Sequence, residues 1–140
     1  MRKDIEYFLA RVEIEAVVLS QQASGGKTII EQLETYINPD VCRHAIVLFS
    51  PDDVGHQANH ESAAHARARQ NVMFEYGMVV GRLGRKNVTL LHRGDVEIPS
   101  DIHGLIWIRY EHDAHDGKLK LARELVEMGY KIDFNKAFQK

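Results

Sequence analysis

A chain of 140 residues with 44% apolar and 27% charged residues has the size and make-up of one soluble domain with a real core. Its formal charge of −2 argues against a general nucleic-acid binder and leaves room only for a local basic patch. No apolar run approaches the roughly 20 residues that span a bilayer, the Met-Arg-Lys-Asp start lacks a signal peptide, and the single Cys42 excludes an internal disulfide and fits a reducing, cytoplasmic setting.

In chain order, residues 3–11 predict a helix with Ile5, Phe8, Leu9 and Val12 on one side. Ala16 to Leu19 is a short apolar run and predicts a buried strand. Ser20 to Thr28 is a loop of small and polar residues. Thr28 to Ile37 predicts a helix, with Ile29 or Ile30, Leu33, and Tyr36 or Ile37 inward, stopped by Asn38-Pro39-Asp40. Ala45 to Phe49 predicts a second buried strand, and Ser50 to Gly55 opens a polar loop bearing histidines. A long helix follows, ending near Gly84. Val88 to Leu91 and Leu105 to Ile108 predict the third and fourth strands. Between them, His92 to Asp95 reads as a turn and Ile98 to His103 as a short turn or helix. Asp116-Gly117 predicts another turn. Lys118 to Met128 predicts the last helix, with Leu121, Ala122, Leu125 and Val126 inward and Gly129 as its stop. Helices alternating with short, continuously apolar strands imply an α/β fold: a parallel sheet with helices on both faces.

The helix over 67–84 organises the chain. Val72, Tyr76, Val79, Val80 and Leu83 recur at helical steps and, at about 100° per residue, fall within roughly 80° of one another. Gly84 sits where a left-handed C′ residue belongs, with Arg85 and Lys86 near the negative end of the helix dipole. Glu75 lies at the border of the apolar stripe, and Asn71 and Arg82 share its flank. A carboxylate there is neither freely solvated nor safely paired, a setting shared by perturbed working acids and by many plain surface glutamates.

Three other stretches carry chemistry. Ser24-Gly25-Gly26-Lys27-Thr28 leads from a strand to a helix start, where backbone N–H groups can meet an anion. It is not a Walker A loop, because Gln21 stands where the first glycine belongs; a phosphate contact and a plain capped turn remain alternatives. Asp52 and Asp53 follow the C-terminal end of a strand, where open parallel sheets bind ligands; they can hold ribose hydroxyls or cap the following turn. Arg67, Arg69 and Arg82, with Lys27, can form a basic rim for a pyrophosphate or a solvated helix face. The loop histidines His56, His60, His65, His112 and His115 have neither a cysteine pairing nor a His-Glu-x-x-His pattern, so no metal site is expected. Cys42 reads as a small, buried or half-buried residue with nothing to activate it.

Four blocks resemble one family: Gly25 to Glu31, Ser50 to Gly55, Ala68 to Arg85 and Val96 to Leu105. Together they look like the bacterial TIR-like domains (Toll/interleukin-1 receptor related), effectors of cyclic-nucleotide-activated anti-phage systems such as the TIR-STING and Pycsar proteins. The resemblance covers about residues 3 to 133. It implies a flavodoxin-like fold and NAD⁺ glycohydrolase activity, with NAD⁺ as substrate and no cofactor. It also implies homo-oligomers or filaments through TIR–TIR contacts, and fusion to a cyclic-nucleotide sensor domain. It places the catalytic glutamate at Glu75. Ser24, Gly25, Gly26 and Lys27 map to a loop that gates the cleft and contacts neighbouring protomers, Asp52 and Asp53 to a loop beside the cleft, and Arg69 and Asn71 to the block preceding Glu75. The family's first, central strand has no counterpart, because this chain starts at or inside the helix that follows it. The expectation is therefore a single TIR-like domain, residues 1–140, taken from a longer protein, or one in which another segment fills that slot. The alternative function is a non-catalytic TIR scaffold or nucleotide-binding module for homotypic assembly. A phosphoacceptor domain on the same fold would need an acidic cluster at the end of that first strand and a late lysine, where Trp107-Ile108-Arg109 stands instead.

Overall fold

The computed structural model describes residues 2–19, 28–49, 74–93, 106–110 and 114–139. The elements are α1 (Arg2–Arg11), α2 (Ile29–Tyr36), β1 (Ala45–Phe49), α3 (74–83), β2 (Val88–Arg93), β3 (Ile106–Tyr110), α4 (Ala114–Glu127) and α5 (Phe134–Phe138). The strands form a parallel sheet in the order β1-β2-β3, with Ala45 opposite Val88 and Thr89 opposite Ile106.

Strand side chains alternate between faces, so the register sorts the core into two layers. On one face Ala45, Phe49, Val88 and Leu90 meet Leu33 and Ile37 of the α2 segment and Tyr76, Val79 and Leu83 of α3. On the other, Leu91 and Ile108 meet Ile5, Phe8, Leu9 and Val12 of the α1 segment, Leu121, Ala122 and Leu125 of α4 and Ala137 of α5. This is the α/β, flavodoxin-like architecture expected from the resemblance, a parallel sheet covered on both faces.

Local chemistry sets the helix ends. The Thr28 hydroxyl accepts from the Glu31 N–H at 3.2 Å and caps α2. The Asp133 carboxylate accepts from the Asn135 and Lys136 N–H groups and starts α5. Gly84 takes φ 84°, as a stop requires, but with ψ 146° it is extended rather than left-handed helical. The Asn87 side-chain amide donates to the Leu83 carbonyl at 2.9 Å and finishes the helix end instead. Gly129, at φ 97°, ends the α4 segment as expected.

Five expectations need correction. Residues 16–19 form no strand: residues 14–18 have no regular structure and Val17 is 55% exposed. Ile14 packs into the α1–α4 layer and Leu19 into the α2–α3 layer, so this segment passes from one face of the sheet to the other with its middle in solvent. His92 and Arg93 belong to β2 rather than to a turn. Asp116 and Gly117 lie inside α4, whose start at Ala114 absorbs the expected turn. Val126 is 41% exposed, because Leu121, Ala122 and Leu125 already fill the buried side of α4. Finally, α5 carries only five residues, too few to show a period, and was not expected. Among the described residues β1 is an edge strand, on the side where the family's first strand would pair. Among them, too, no helix is long and apolar enough to cross a membrane.

Candidate active site

The site is built on α3. Tyr76 (2% exposed), Val79 (3%) and Leu83 anchor this helix on the sheet at three- and four-residue steps. Glu75 stands about 40° from Val79 on the helix circumference, at the margin of that buried stripe, and is half-buried. No cation among the described residues meets its carboxylate, and burial holds its pKa above the ordinary glutamate value.

Chain direction fixes which end of the sheet Glu75 occupies. The C-terminus of α3 turns through Arg85–Asn87 directly into the start of β2. The start of α3 therefore lies toward the C-terminal ends of the strands, where parallel sheets bind ligands. At those ends Phe49, His92 and Arg109 come into register on the α3 face. The buried Tyr76 ring lies 6.0 Å from the Trp107 ring, and the buried His92 ring meets Trp107 edge-on, also at 6.0 Å. The Tyr76 hydroxyl is enclosed with no hydrogen-bond partner among the described residues, and burial pushes its pKa up. A half-desolvated carboxylate at the ligand-binding end of a parallel sheet can hold a sugar's hydroxyls and offset positive charge developing on it.

Of the residues expected to take part in the site, Glu75 and Arg82 fall within the described part. Ser24, Gly25, Gly26, Lys27, Asp52, Asp53, Arg69 and Asn71 lie outside it, as do Arg67, His56, His60, His65 and His112. Among the described residues no cluster of His, Cys, Asp or Glu could hold a metal ion. Cys42 is half-buried and its thiol donates to the His44 carbonyl at 3.0 Å. Arg82 does not join a basic rim. Its Nε donates to the Ile37 carbonyl at 2.6 Å and its Nη2 to the Glu34 carbonyl at 3.2 Å, so the guanidinium is spent on the C-terminal end of α2. His92 and Trp107, both on the α3 face of the sheet, belong to no motif in the sequence. Their signal was alternation: His92 continues the Val88, Leu90 face of β2 to the ligand-binding end.

A model of the CAP12/Pycsar effector protein TIR domain matches residues 1–112. The chain belongs to this TIR-domain family. The "Uncharacterized protein YuaY" of Escherichia coli (strain K12) is 43% identical over 136 residues, 96% of this chain and 44% of YuaY. "Protein tirC" of Dictyostelium discoideum is 34% identical over 122 residues, 81% of this chain and 60% of tirC. The "Pycsar effector protein PaPycTIR" of Pseudomonas aeruginosa is 42% identical over 83 residues, 58% of this chain and 25% of the effector. The chain thus spans 44% of YuaY and 60% of tirC. No solved structure matches it significantly. The TIR family match takes in α1 to β3, including Glu75, Tyr76, His92 and Trp107, while α4 and α5 lie beyond it.

Proposed function

We propose that this TIR domain is an NAD⁺ glycohydrolase, with Glu75 as its catalytic carboxylate. The observation that carries the reading is the half-buried Glu75, raised in pKa by burial, on the helix that enters the ligand-binding end of a parallel sheet. Membership of the TIR family supports it.

The chemistry suits one carboxylate. Nicotinamide leaves NAD⁺ as a neutral base, so cleavage of the C–N bond needs no general acid. The ribose carbon becomes oxocarbenium-like, and an ionised Glu75 against the ribose hydroxyls offsets that charge. Water then forms the new C–O bond at the anomeric carbon and loses a proton, giving nicotinamide, ADP-ribose and H⁺. Attack by a nucleophile within the substrate would give a cyclic ADP-ribose instead. Loops 24–27 and 52–53, with Arg69 and Asn71, would complete the substrate contacts.

We further propose that the domain acts in the cytoplasm as an anti-phage effector, switched on by oligomerisation through TIR–TIR contacts and governed by a cyclic-nucleotide sensor in the same protein. Phe74, 57% exposed and adjacent to Glu75, offers an apolar contact at the cleft margin that fits a neighbouring protomer. The test is nicotinamide release from NAD⁺ by concentrated protein, with and without a crowding agent, beside Glu75→Gln. Release that rises with protein concentration and vanishes in Glu75→Gln is expected. Normal turnover by Glu75→Gln would sink the assignment, and specific activity independent of dilution would sink the oligomerisation.

A further inference from the structure

The Arg82 fork ties together two helices that the candidate site needs in one place. The α2 segment leads into the start of β1, and α3 leads into the start of β2, with Ala45 and Val88 in register. Both helices therefore end at the N-terminal edge of the sheet and run in the same direction over the same face. Arg82 binds the Glu34 and Ile37 carbonyls at that shared end.

Seven residues, close to two turns, separate Arg82 from Glu75. The two side chains leave α3 about 20° apart on its circumference and roughly 10 Å apart along its axis. Moving back the same seven residues from Ile37 reaches Ile30, in the first turn of α2, which Thr28 caps. Glu75 thus stands on the flank of α3 that faces α2, level with the N-terminal turn of α2. The first-turn N–H groups and the positive end of that helix's dipole lie on Glu75's side of the sheet.

We propose that Arg82 is a positioning residue for Glu75: by bridging two carbonyls at the end of α2, its guanidinium fixes the register and angle of α2 on α3, and so sets the N-terminal turn of α2 at the level of Glu75 on the flank it faces. The catalytic part rests on the NAD⁺ glycohydrolase reading. The geometric part does not. Two donors at a fixed angle are required, one at 2.6 Å to Ile37 and one at 3.2 Å to Glu34. A lysine ammonium keeps the charge but not the planar fork.

The experiment compares wild type, Arg82→Lys and Arg82→Ala in the full chain, well below each variant's melting temperature. The first readout is independent of turnover: the Glu75 carboxyl titration by NMR. Its midpoint is expected to move in Arg82→Ala, to move in Arg82→Lys, and to return toward wild type when low-millimolar guanidinium is added to Arg82→Ala. The second is NAD⁺ cleavage: kcat is expected to fall about 10- to 100-fold in Arg82→Ala with KM little changed, and to recover with guanidinium. An unmoved Glu75 titration would overturn the proposal. So would a raised KM with normal kcat, which would mark a direct contact with the substrate's phosphates. Wild type inert toward NAD⁺, with a Glu75 titration that still follows Arg82, would remove the catalytic reading and leave the positioning intact.

Discussion

The ring of Tyr76 packs on that of Trp107 with centroids 6.0 Å apart and planes tilted by 54°. That contact joins the helix bearing Glu75 to the third strand over the middle of the sheet, where Trp107 pairs with Leu90 and also meets His92 edge-on. The ring and the hydroxyl of Tyr76 contribute differently. Truncation by Tyr76→Ala should cost about 3–5 kcal/mol, because it empties a filled site between helix and sheet. Tyr76→Phe removes a buried hydroxyl that has no partner among the described residues, and should leave the denaturation midpoint unchanged or slightly raised. Paired urea melts of the two variants check both statements. A Tyr76→Phe protein markedly less stable than wild type would show that the hydroxyl is satisfied.

Glu75→Gln should keep the fold and be at least as stable as wild type at neutral pH. Burial raises the folded pKa of Glu75 above its unfolded value. Between those two values the folded state binds more protons, so the carboxylate's contribution to stability falls as pH rises through that window. The amide is free of this penalty. Its advantage should therefore vanish below the unfolded glutamate pKa. Melting temperatures of both proteins across the acid range test the sign. In the activity of wild type, the same raised pKa should put the acid limb of the pH–rate profile above the ordinary glutamate range.

His44 should make the protein acid-sensitive in a different window. Its imidazole is hydrogen-bonded to Thr89, Nε2 to Oγ1 at 3.1 Å, and burial lowers its pKa from 6.5 to about 4, against a smaller opposing effect of the Asn87 backbone. Between those pH values the unfolded state binds the proton and the folded state does not. Stability is then fully present above pH 6.5 and is lost progressively down to about pH 4, by on the order of 2–3 kcal/mol. His44→Gln should flatten this slope. Melts at closely spaced pH values would show it, and an unchanged slope in the variant would assign the acid sensitivity elsewhere.

Removing the Thr28 cap should weaken α2 locally. The Glu31 N–H loses its acceptor in Thr28→Ala, a change of about 1 kcal/mol. Faster amide exchange is expected in the first turn of α2, with α4 unaffected, because the two helices pack on opposite faces of the sheet. Hydrogen exchange followed by fragment mass analysis separates the two regions.

The sequence by itself determined the elements that repeat. Helical spacing marks the buried sides of α1 (Ile5, Phe8, Leu9), α3 (Tyr76, Val79, Leu83) and α4 (Leu121, Ala122, Leu125), and the apolar runs mark all three strands. It also put Glu75 at the margin of a core, since helix geometry alone gives that angle. The residues 16–19 run misled because four apolar residues do not state what they will pair with. Here Ile14 and Leu19 are claimed by opposite layers, and no ladder forms. The short α5 was illegible because its stability comes from the Asp133 cap and from packing of Ala137 and Phe138 into the α1–α4 layer, not from its five residues. Only the tertiary structure decided where Arg82 points. On the sequence it was a cation on the flank of Glu75. In the fold its partners are carbonyls 45 and 48 positions away, made available because a helix end leaves its last C=O groups unbonded wherever the chain brings them.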